Sequence, residues 1–194
     1  MGSNPLSKVW FTPTRGASNW LWLSFFVVLL DQTTKALVIG TVKTQDTIAL
    51  LPFLDVVYLE NTGAAFSIFA QASGWQRWFF IGLALTVSVV LMLWLRRIRA
   101  EQTLLAIGLS LVLGGALGNV IDRVMHGYVV DFIYFNWRTW DFPAFNIADT
   151  AISIGAGCLL LDAITAGDVG FADVVRDAVL RREFAEQCNN GKPL

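Results

Sequence analysis

The chain has 194 residues, of which 55% are hydrophobic and 15% charged, and its net charge at pH 7 is −1. Soluble domains carry about 25% charged residues, so this composition excludes an ordinary water-soluble domain and favours one polytopic membrane domain over residues 1–194. The near-zero charge gives no sign of a nucleic-acid partner, which would need a clustered basic surface. With two cysteines and one histidine, neither a disulfide framework nor a metal or cofactor site is expected.

Four apolar runs are long enough to cross a bilayer as helices. The second and third runs have uncharged central parts, whereas the first and the fourth each contain two charged residues. The sequence therefore predicts an all-α polytopic membrane protein. Its expected spans are about residues 20–40, 75–95, 103–123 and 146–166.

Basic residues are concentrated before the first span and between the second and third spans. They are Lys8, Arg15, Arg96, Arg97 and Arg99. Because short cytoplasmic loops are enriched in Lys and Arg, this bias predicts cytoplasmic termini, with residues 167–194 as a cytoplasmic tail. Residues 41–74 and 124–145 then lie outside. The β-branched and aromatic residues of segment 48–58 predict short strands with turns in the first outer segment.

Charged side chains inside a bilayer are costly, and each one is a candidate for function. In the first span, Asp31 and Lys35 lie four residues apart on one helix face and can form an ion pair. A structural clamp without catalysis is the simpler interpretation of this pair.

The third span ends in glycines that allow close helix approach, followed by polar residues. Asn119, Asp122 and Arg123 fall on one face at the predicted outer end of this helix. Two interpretations stay open: these residues form the wall of a site, or Arg123 and Asp122 form an interfacial pair that caps the helix.

Further polar residues follow towards the fourth span. Asp131 lies in an apolar, strand-like run at the membrane surface, where burial would raise its pKa. Asn146 and Asp149 open the fourth span, and Asn146 is suited to cap that helix. By the predicted topology, Asp122, Asp131, Asp149 and the loop around Asn61 lie at the same outer face of the membrane.

Two carboxylates in one apolar site cannot both ionise readily, so one of them keeps a proton. Such a pair can activate water and donate to a carbonyl oxygen, which is aspartic-protease chemistry. The absence of Gly-x-Ser-x-Gly and His-Glu-x-x-His argues against serine and zinc hydrolysis. Spacing alone leaves open whether Asp122 or Asp131 is the partner of Asp149.

Five motifs stand in order along residues 19–166. They are Asp31-Gln32-Thr33-Thr34-Lys35, Asn61-Thr62-Gly63-Ala64-Ala65-Phe66, Gly114-Gly115-Ala116-Leu117-Gly118-Asn119-Val120-Ile121-Asp122-Arg123, Val129-Val130-Asp131-Phe132 and Phe145-Asn146-Ile147-Ala148-Asp149. This set resembles lipoprotein signal peptidase, the type II signal peptidase of bacteria. The N-terminal arm and the tail lie outside the resemblance.

The resemblance implies four helices in the bacterial inner membrane, an extracytoplasmic β-cradle from the loop after span one, a second outer loop that can cover the site, and an active site at the periplasmic face. It also implies the removal of signal peptides from diacylglyceryl-modified prolipoproteins, just before the lipidated cysteine, in contact with membrane lipids. The inhibitor globomycin would be expected to occupy the same site.

By motif match, the catalytic pair would be Asp131 and Asp149. Arg123 and Asn61 would contact the substrate backbone. The substrate-binding or supporting positions are Asp31, Lys35, Asn61, Gly63, Asn119, Asp122, Arg123, Asn146 and Ala148.

Two functions of other classes remain alternatives. A small transporter or proton relay would also use intramembrane Asp and Lys, but it would need them through the membrane depth, whereas here most gather at one face. An assembly factor that binds lipidated precursors without cutting them would keep the groove and tolerate loss of either aspartate.

Overall fold

A computed structural model describes residues 17–43, 46–63, 74–99, 101–137 and 140–165. The basic N-terminal residues used for the topology prediction and the predicted tail at 167–194 lie outside the described residues. The last three residues of the second motif, at 64–66, lie outside them as well.

Four helices are long and apolar enough to cross a membrane. They are α1 (Leu21–Thr41, preceded by a 3₁₀ turn at Ala17–Trp20), α2 (Trp75–Leu95), α3 (Thr103–Met125) and α4 (Ile147–Thr165). The predicted four-span membrane fold is confirmed. Each helix is a nearly continuous apolar run. These runs are helical because in lipid only hydrogen bonds within the helix satisfy the backbone groups of an isolated segment.

The central helix of the bundle is α3. Over its most apolar stretch 56% of the residues are buried, against 17% to 28% in the other three helices. Glycines on several sides of α3 permit this crowding: a Cβ on Gly114 would meet the Ser24 backbone of α1, and one on Gly115 would meet the Ala148 carbonyl of α4. Small residues of this kind let helix backbones approach closely in membranes.

Outside the helices lies a four-stranded antiparallel sheet with strand order β1-β2-β3-β4. Its strands are β1 (Thr47–Leu51), β2 (Leu54–Asn61), β3 (Val129–Trp137) and β4 (Trp140–Phe145). The predicted small sheet is confirmed, but its composition differs from the expected one. The second outer segment supplies β3 and β4, because its run of β-branched and aromatic residues pairs with β2 on one side and continues into a hairpin on the other.

A tight turn joins α3 to β3. Gly127 adopts a φ of +92°, a left-handed conformation that glycine tolerates far better than other residues. The side chain of Arg77 from α2 supports this turn, since its Nη2 donates to the carbonyl of Val124 at 2.9 Å. The turn therefore sets where β3 begins: Gly127 lies two residues before Val129, the first residue of β3, and four residues before Asp131.

Candidate active site

Asp131 is the buried carboxylate of the sheet. It lies on β3, directly opposite Leu59 of β2, and is 3% exposed. The Asn61 side chain donates to its Oδ2 at 2.9 Å, and the Asn146 side chain donates to its Oδ1 at 2.7 Å. Two amides thus hold both oxygens of the carboxyl group in place.

The pKa of Asp131 is raised from 3.8 to about 6. Burial is the largest cause, and the nearby charge of Asp149 raises the pKa further, while the amide donors of Asn61 and Asn146 and the charge of Lys35 lower it. Burial and a neighbouring carboxylate both disfavour the charged form. This carboxyl group can therefore exchange a proton near neutral pH.

Asp149 lies in the first turn of α4, and the loop before that helix fixes its position. Asn146 is the N-cap, because its Oδ1 accepts from the Asp149 backbone N–H at 2.9 Å, as capping residues do. From α3, the Asn119 side chain donates to Asp149 Oδ1 at 2.8 Å. The same Asn146 side chain therefore contacts both Asp131 and the backbone of Asp149.

A buried ion cluster, formed by Asp31, Lys35 and Asp122, lies beside the two aspartates. Lys35 Nζ is 2.8 Å from Asp31 Oδ2 and 2.8 Å from Asp122 Oδ2. All three residues are at most 2% exposed. The ion pair predicted between Asp31 and Lys35 within α1 is present. Asp122 also pairs with Lys35, rather than with Arg123, and it accepts a hydrogen bond from the Val130 backbone N–H at 3.0 Å.

Gln32 completes the ion cluster, although the sequence interpretation did not single it out. Its Nε2 donates to Asp122 Oδ1 at 2.9 Å and to Asp31 Oδ2 at 3.1 Å, and it also reaches the Gly118 carbonyl at 3.2 Å. A polar residue directly after Asp31 in an apolar helix was the only available signal. The other oxygen of Asp31 accepts the Ala148 backbone N–H at 2.9 Å, which ties α1 to the start of α4.

Arg123 lies at the rim of the site. Its Nη2 donates to the carbonyl of Gly63 at 3.2 Å, and its guanidinium stands 5.2 Å from the centre of the Phe80 ring. Gly63 itself donates to Asn61 Oδ1 at 3.1 Å. The predicted positions Asn61, Gly63 and Arg123 therefore form one connected rim beside Asp131.

A cavity of about 1100 Å³ opens in front of these residues. Asp131 and Asp149 both line it, together with Asn61, Gly63, Asn119 and Arg123, whereas the residues of the ion cluster do not. Apolar side chains of β4 and α4 complete the wall, among them Phe142, Phe145, Ile152 and Ile154. The structure thus separates the predicted residues into a set that faces the cavity and a set buried behind it.

The described residues contain no group of three or more His, Cys, Asp or Glu side chains placed to hold a metal ion. Four membrane-spanning helices with two carboxylates and several amides gathered at one end define a multi-pass membrane protein with a polar site beside an apolar cavity. Comparison with known proteins gives the particular family.

Residues 23–165 match the family described as Signal peptidase (SPase) II. The lipoprotein signal peptidase of Ectopseudomonas mendocina is 52% identical over 145 residues, which cover 74% of this chain and 86% of that protein. The lipoprotein signal peptidase of Shewanella piezotolerans is 45% identical over 159 residues, which cover 81% of this chain and 94% of that protein. The chain belongs to the signal peptidase II family and is a multi-pass bacterial membrane peptidase that removes signal peptides from prolipoproteins.

Two solved structures share the fold. A bacterial membrane enzyme determined by the in meso method at 2.3 Å resolution superimposes with a TM-score of 0.69 at 33% identity, covering 77% of this chain and 89% of that one. A second such structure at 1.9 Å resolution gives a TM-score of 0.66 at 35% identity, covering 74% and 90% of the two chains.

Proposed function

We propose that the chain is an aspartic endopeptidase that cuts diacylglyceryl-modified prolipoproteins just before the lipidated cysteine, with Asp131 and Asp149 as its catalytic dyad. The observation that carries the proposal is the division of the carboxylates. Asp131 and Asp149 line the cavity. Asp122, the alternative partner of Asp149, is 1% exposed, and both of its carboxylate oxygens are bound by Lys35, Gln32 and the Val130 N–H.

The chemistry follows from two carboxyl groups that share one proton. The ionised group takes a proton from a water molecule, which attacks the scissile carbonyl carbon, while the protonated group donates to the carbonyl oxygen. The product of this step is a tetrahedral diol. Its collapse returns a proton to the leaving amine, and no acyl-enzyme forms. The raised pKa of Asp131 suits this exchange near neutral pH, since the group can hold or release the proton there.

The rim residues are placed to bind the substrate backbone. Arg123 donates to the Gly63 carbonyl, and Asn61 donates to Asp131. Both are hydrogen-bond donors at the mouth of the cavity, where an extended peptide presents its own carbonyl groups. We assign to Arg123 and Asn61 the task of holding the peptide on either side of the scissile bond.

The apolar wall suits a substrate that arrives through the membrane. Phe142, Ile152 and Ile154 line the cavity, and Phe142 and Ile154 are about half exposed. A signal helix and acyl chains that lie in the bilayer beside α4 would therefore reach the dyad without leaving an apolar surface. The site would then lie at the periplasmic face of the inner membrane, and the basic loop at Arg96–Arg99 on the other side supports this orientation.

The test is cleavage of a purified diacylglyceryl-modified prolipoprotein in detergent, followed by gel shift. Asp131→Asn and Asp149→Asn each remove an acid while keeping the side-chain shape, and we expect both to reduce cleavage by at least about 100-fold. Globomycin should block the parent. Cleavage retained in Asp131→Asn and abolished in Asp122→Asn would transfer the dyad to Asp122 and Asp149.

The two other function classes predict different results. A folded parent that binds the prolipoprotein but never cuts it would support the assembly factor. A proton relay would require ionisable groups through the membrane depth. Among the described residues of the spans, Arg77, Asp122, Arg123 and Asp149 lie at one end of the bundle. Asp31 and Lys35, further along α1, pair with each other and Lys35 with Asp122, and Asp162 lies near the end of α4.

A further inference from the structure

The side chain of Asn119 connects the buried ion cluster to the proposed dyad. Its Oδ1 accepts from Lys35 Nζ at 3.2 Å and from Asn146 Nδ2 at 3.4 Å. Its Nδ2 donates to Asp149 Oδ1 at 2.8 Å. Lys35 is 2% exposed and Asn119 is 9% exposed, so bulk water has little access to the hydrogen bond between them.

The orientation of the Asn119 amide is dictated by its neighbours. The Lys35 ammonium and the Asn146 NH₂ group can only donate hydrogen bonds. A reversed Asn119 amide would place its own NH₂ group against both of these donors and would leave its oxygen facing the Asp149 carboxylate. Buried polar groups without partners are costly, so the ammonium, at the shorter of the two contacts, keeps the amide in the observed orientation together with the Asn146 NH₂ group.

We infer that Lys35 is a positioning residue for the dyad: by fixing the Asn119 amide, it keeps an N–H donor aimed at Asp149 Oδ1. The inference rests on the proposed function, because it takes Asp149 to be one of the two catalytic groups. It assigns to Lys35 a task beyond neutralising Asp31 and Asp122.

For the position of Asp149, the hydrogen bond that Lys35 donates to Asn119 matters more than the charge of Lys35. Two carboxylates, Asp31 of α1 and Asp122 of α3, stand 2.8 Å from Lys35 Nζ and offset its field at the dyad. Besides Asp131 of β3 and Asp149 of α4 themselves, the other charged groups at the dyad are Arg123 of α3 and Glu60 of β2, which line the same cavity. Among the groups that set the pKa of Asp131, the charge of Lys35 contributes least. The hydrogen bond through Asn119, by contrast, reaches Asp149 directly.

The consequence is a defined pH dependence. A hydrogen bond donated to a carboxylate favours its charged form. Losing the Asn119 N–H makes the dyad harder to ionise, so the acid limb of the pH–rate profile moves to higher pH. Substrate binding uses the rim, and the Michaelis constant should stay near that of the parent.

The experiment compares Lys35→Met, Asn119→Ala and the double variant in the full-length protein, with kcat, KM and the pH–rate profile measured on the same prolipoprotein. We expect each single variant to lower kcat about tenfold at pH 7, as the loss of one hydrogen bond to a charged group implies. The acid limb should move upwards in both, and the double variant should resemble Asn119→Ala, since the two residues act in series. Multiplying effects in the double variant would overturn the inference.

Ser24→Ala is the matched structural control. Ser24 is a buried residue of α1 whose Oγ donates to the Ser110 carbonyl of α3 at 2.8 Å. Its loss weakens the same helix pair at a distance from the dyad. It should lower the melting temperature and leave the acid limb in place. A Lys35→Met variant that behaves like Ser24→Ala would reduce Lys35 to a structural role and overturn the inference.

Lys35→Gln covers the case in which Lys35→Met does not fold. Glutamine supplies N–H donors without the charge, so the acid limb should stay closer to that of the parent than the limb of Asn119→Ala. If the acid limb of Lys35→Gln moves as far as that of Asn119→Ala, the Lys35 charge acts directly on the dyad, and the inference is contradicted. An unchanged acid limb in Asn119→Ala would contradict the inference as well.

These outcomes are separate from failure of the proposed function. If the parent does not cut, or if Asp149→Asn cuts normally, the aspartic mechanism is wrong whatever Lys35 does. If the parent cuts and both dyad variants are inactive, the acid limbs of the Lys35 and Asn119 variants test the positioning role alone.

Discussion

Gly118 is the residue on which the ion cluster depends most directly for space. A Cβ at this position would lie 2.6 Å from Asp31 Oδ2, too close for a carbon and an oxygen of two different side chains. Asp31 is wholly buried and bound to Lys35 and the Ala148 N–H, so it cannot move aside freely. One missing methyl group on α3 thus allows a carboxylate of α1 to reach α4.

We therefore expect Gly118→Ala to lower stability by about 1–3 kcal/mol, the usual cost of overpacking, and to impair cleavage. Gly82→Ala is the matched control, because nothing lies within 4 Å of its added Cβ in the middle of α2. Alanine is the better helix former there, and stability should be unchanged or slightly higher. Melting temperatures in detergent measure both changes. Equal melting temperatures for the two variants would contradict the steric argument.

Asp131 gives a residue-scale prediction with a definite sign. Its folded pKa of about 6 lies above the ordinary 3.8, so folding favours the protonated form, and ionisation between these pH values destabilises the protein. Asp131→Asn should therefore melt above the parent at pH 8 and close to it near pH 4. The gain in stability is at most about 3 kcal/mol. It falls below that limit because the NH₂ group of the new asparagine must face the N–H donor of either Asn61 or Asn146.

The measurement is the melting temperature of both proteins in detergent at pH 4, 6 and 8. Asp46→Asn, a change at an exposed carboxylate before β1, serves as the control for charge removal alone. Parallel melting curves for the parent and Asp131→Asn across this range would show that Asp131 is not held in a site that opposes its charge.

At the scale of elements, the start of α4 joins three parts of the molecule. The helix is capped by Asn146, whose side chain also donates to Asp131 of β3, while the first-turn N–H of Ala148 donates to Asp31 of α1. The helix N-terminus is where backbone N–H groups lack intrahelical partners. The site therefore uses these free donors, and the cap and the dyad depend on the same loop.

Substitutions at Asn146 can separate these two roles. Asn146→Ser keeps a capping oxygen but loses the donor to Asp131, so cleavage should fall and stability should fall only by the loss of that buried donor. Asn146→Ala loses both and should lose about 1 kcal/mol more than Asn146→Ser, as removal of an N-cap does. Thermal unfolding and the cleavage rate, measured on the same preparations, test the pair. Full cleavage by Asn146→Ser would show that the donor to Asp131 is dispensable.

At the scale of the whole molecule, orientation in the membrane follows from where the basic loop and the sheet lie. Arg96, Arg97 and Arg99 follow α2, and the sheet lies beyond the opposite ends of the helices. Because positively charged loops stay in the cytoplasm, the sheet and the cavity should face the periplasm. This orientation would give the site access to substrates that have already been exported.

Single cysteines test this orientation. With Cys158 and Cys188 replaced by serine, Thr47→Cys on β1 should react with a membrane-impermeant maleimide added to intact spheroplasts. Glu101→Cys, exposed in the basic loop, should react only after the membrane is permeabilised. The opposite pattern would reverse the topology and place the cavity in the cytoplasm.

The sequence by itself determined the four spans and predicted an outer position for the site. Continuous apolar runs, a basic loop and ionisable residues near the span ends need no partner to be recognised, because bilayer transfer acts on each segment separately. The ion pair of Asp31 and Lys35 was also predictable, since four residues along a helix place two side chains together.

Only the tertiary structure decided which carboxylates face the cavity. By spacing alone, Asp122 and Asp131 are equally plausible partners of Asp149. Their different roles depend on tertiary contacts, since Lys35 from α1 pairs with Asp122 and Asn61 from β2 donates to Asp131. Local sequence patterns likewise did not predict that Gln32 joins Asp31 to Asp122. They also did not predict that the two outer segments form one four-stranded sheet. These features arise from contacts between residues far apart in the chain, which side-chain periodicity does not encode.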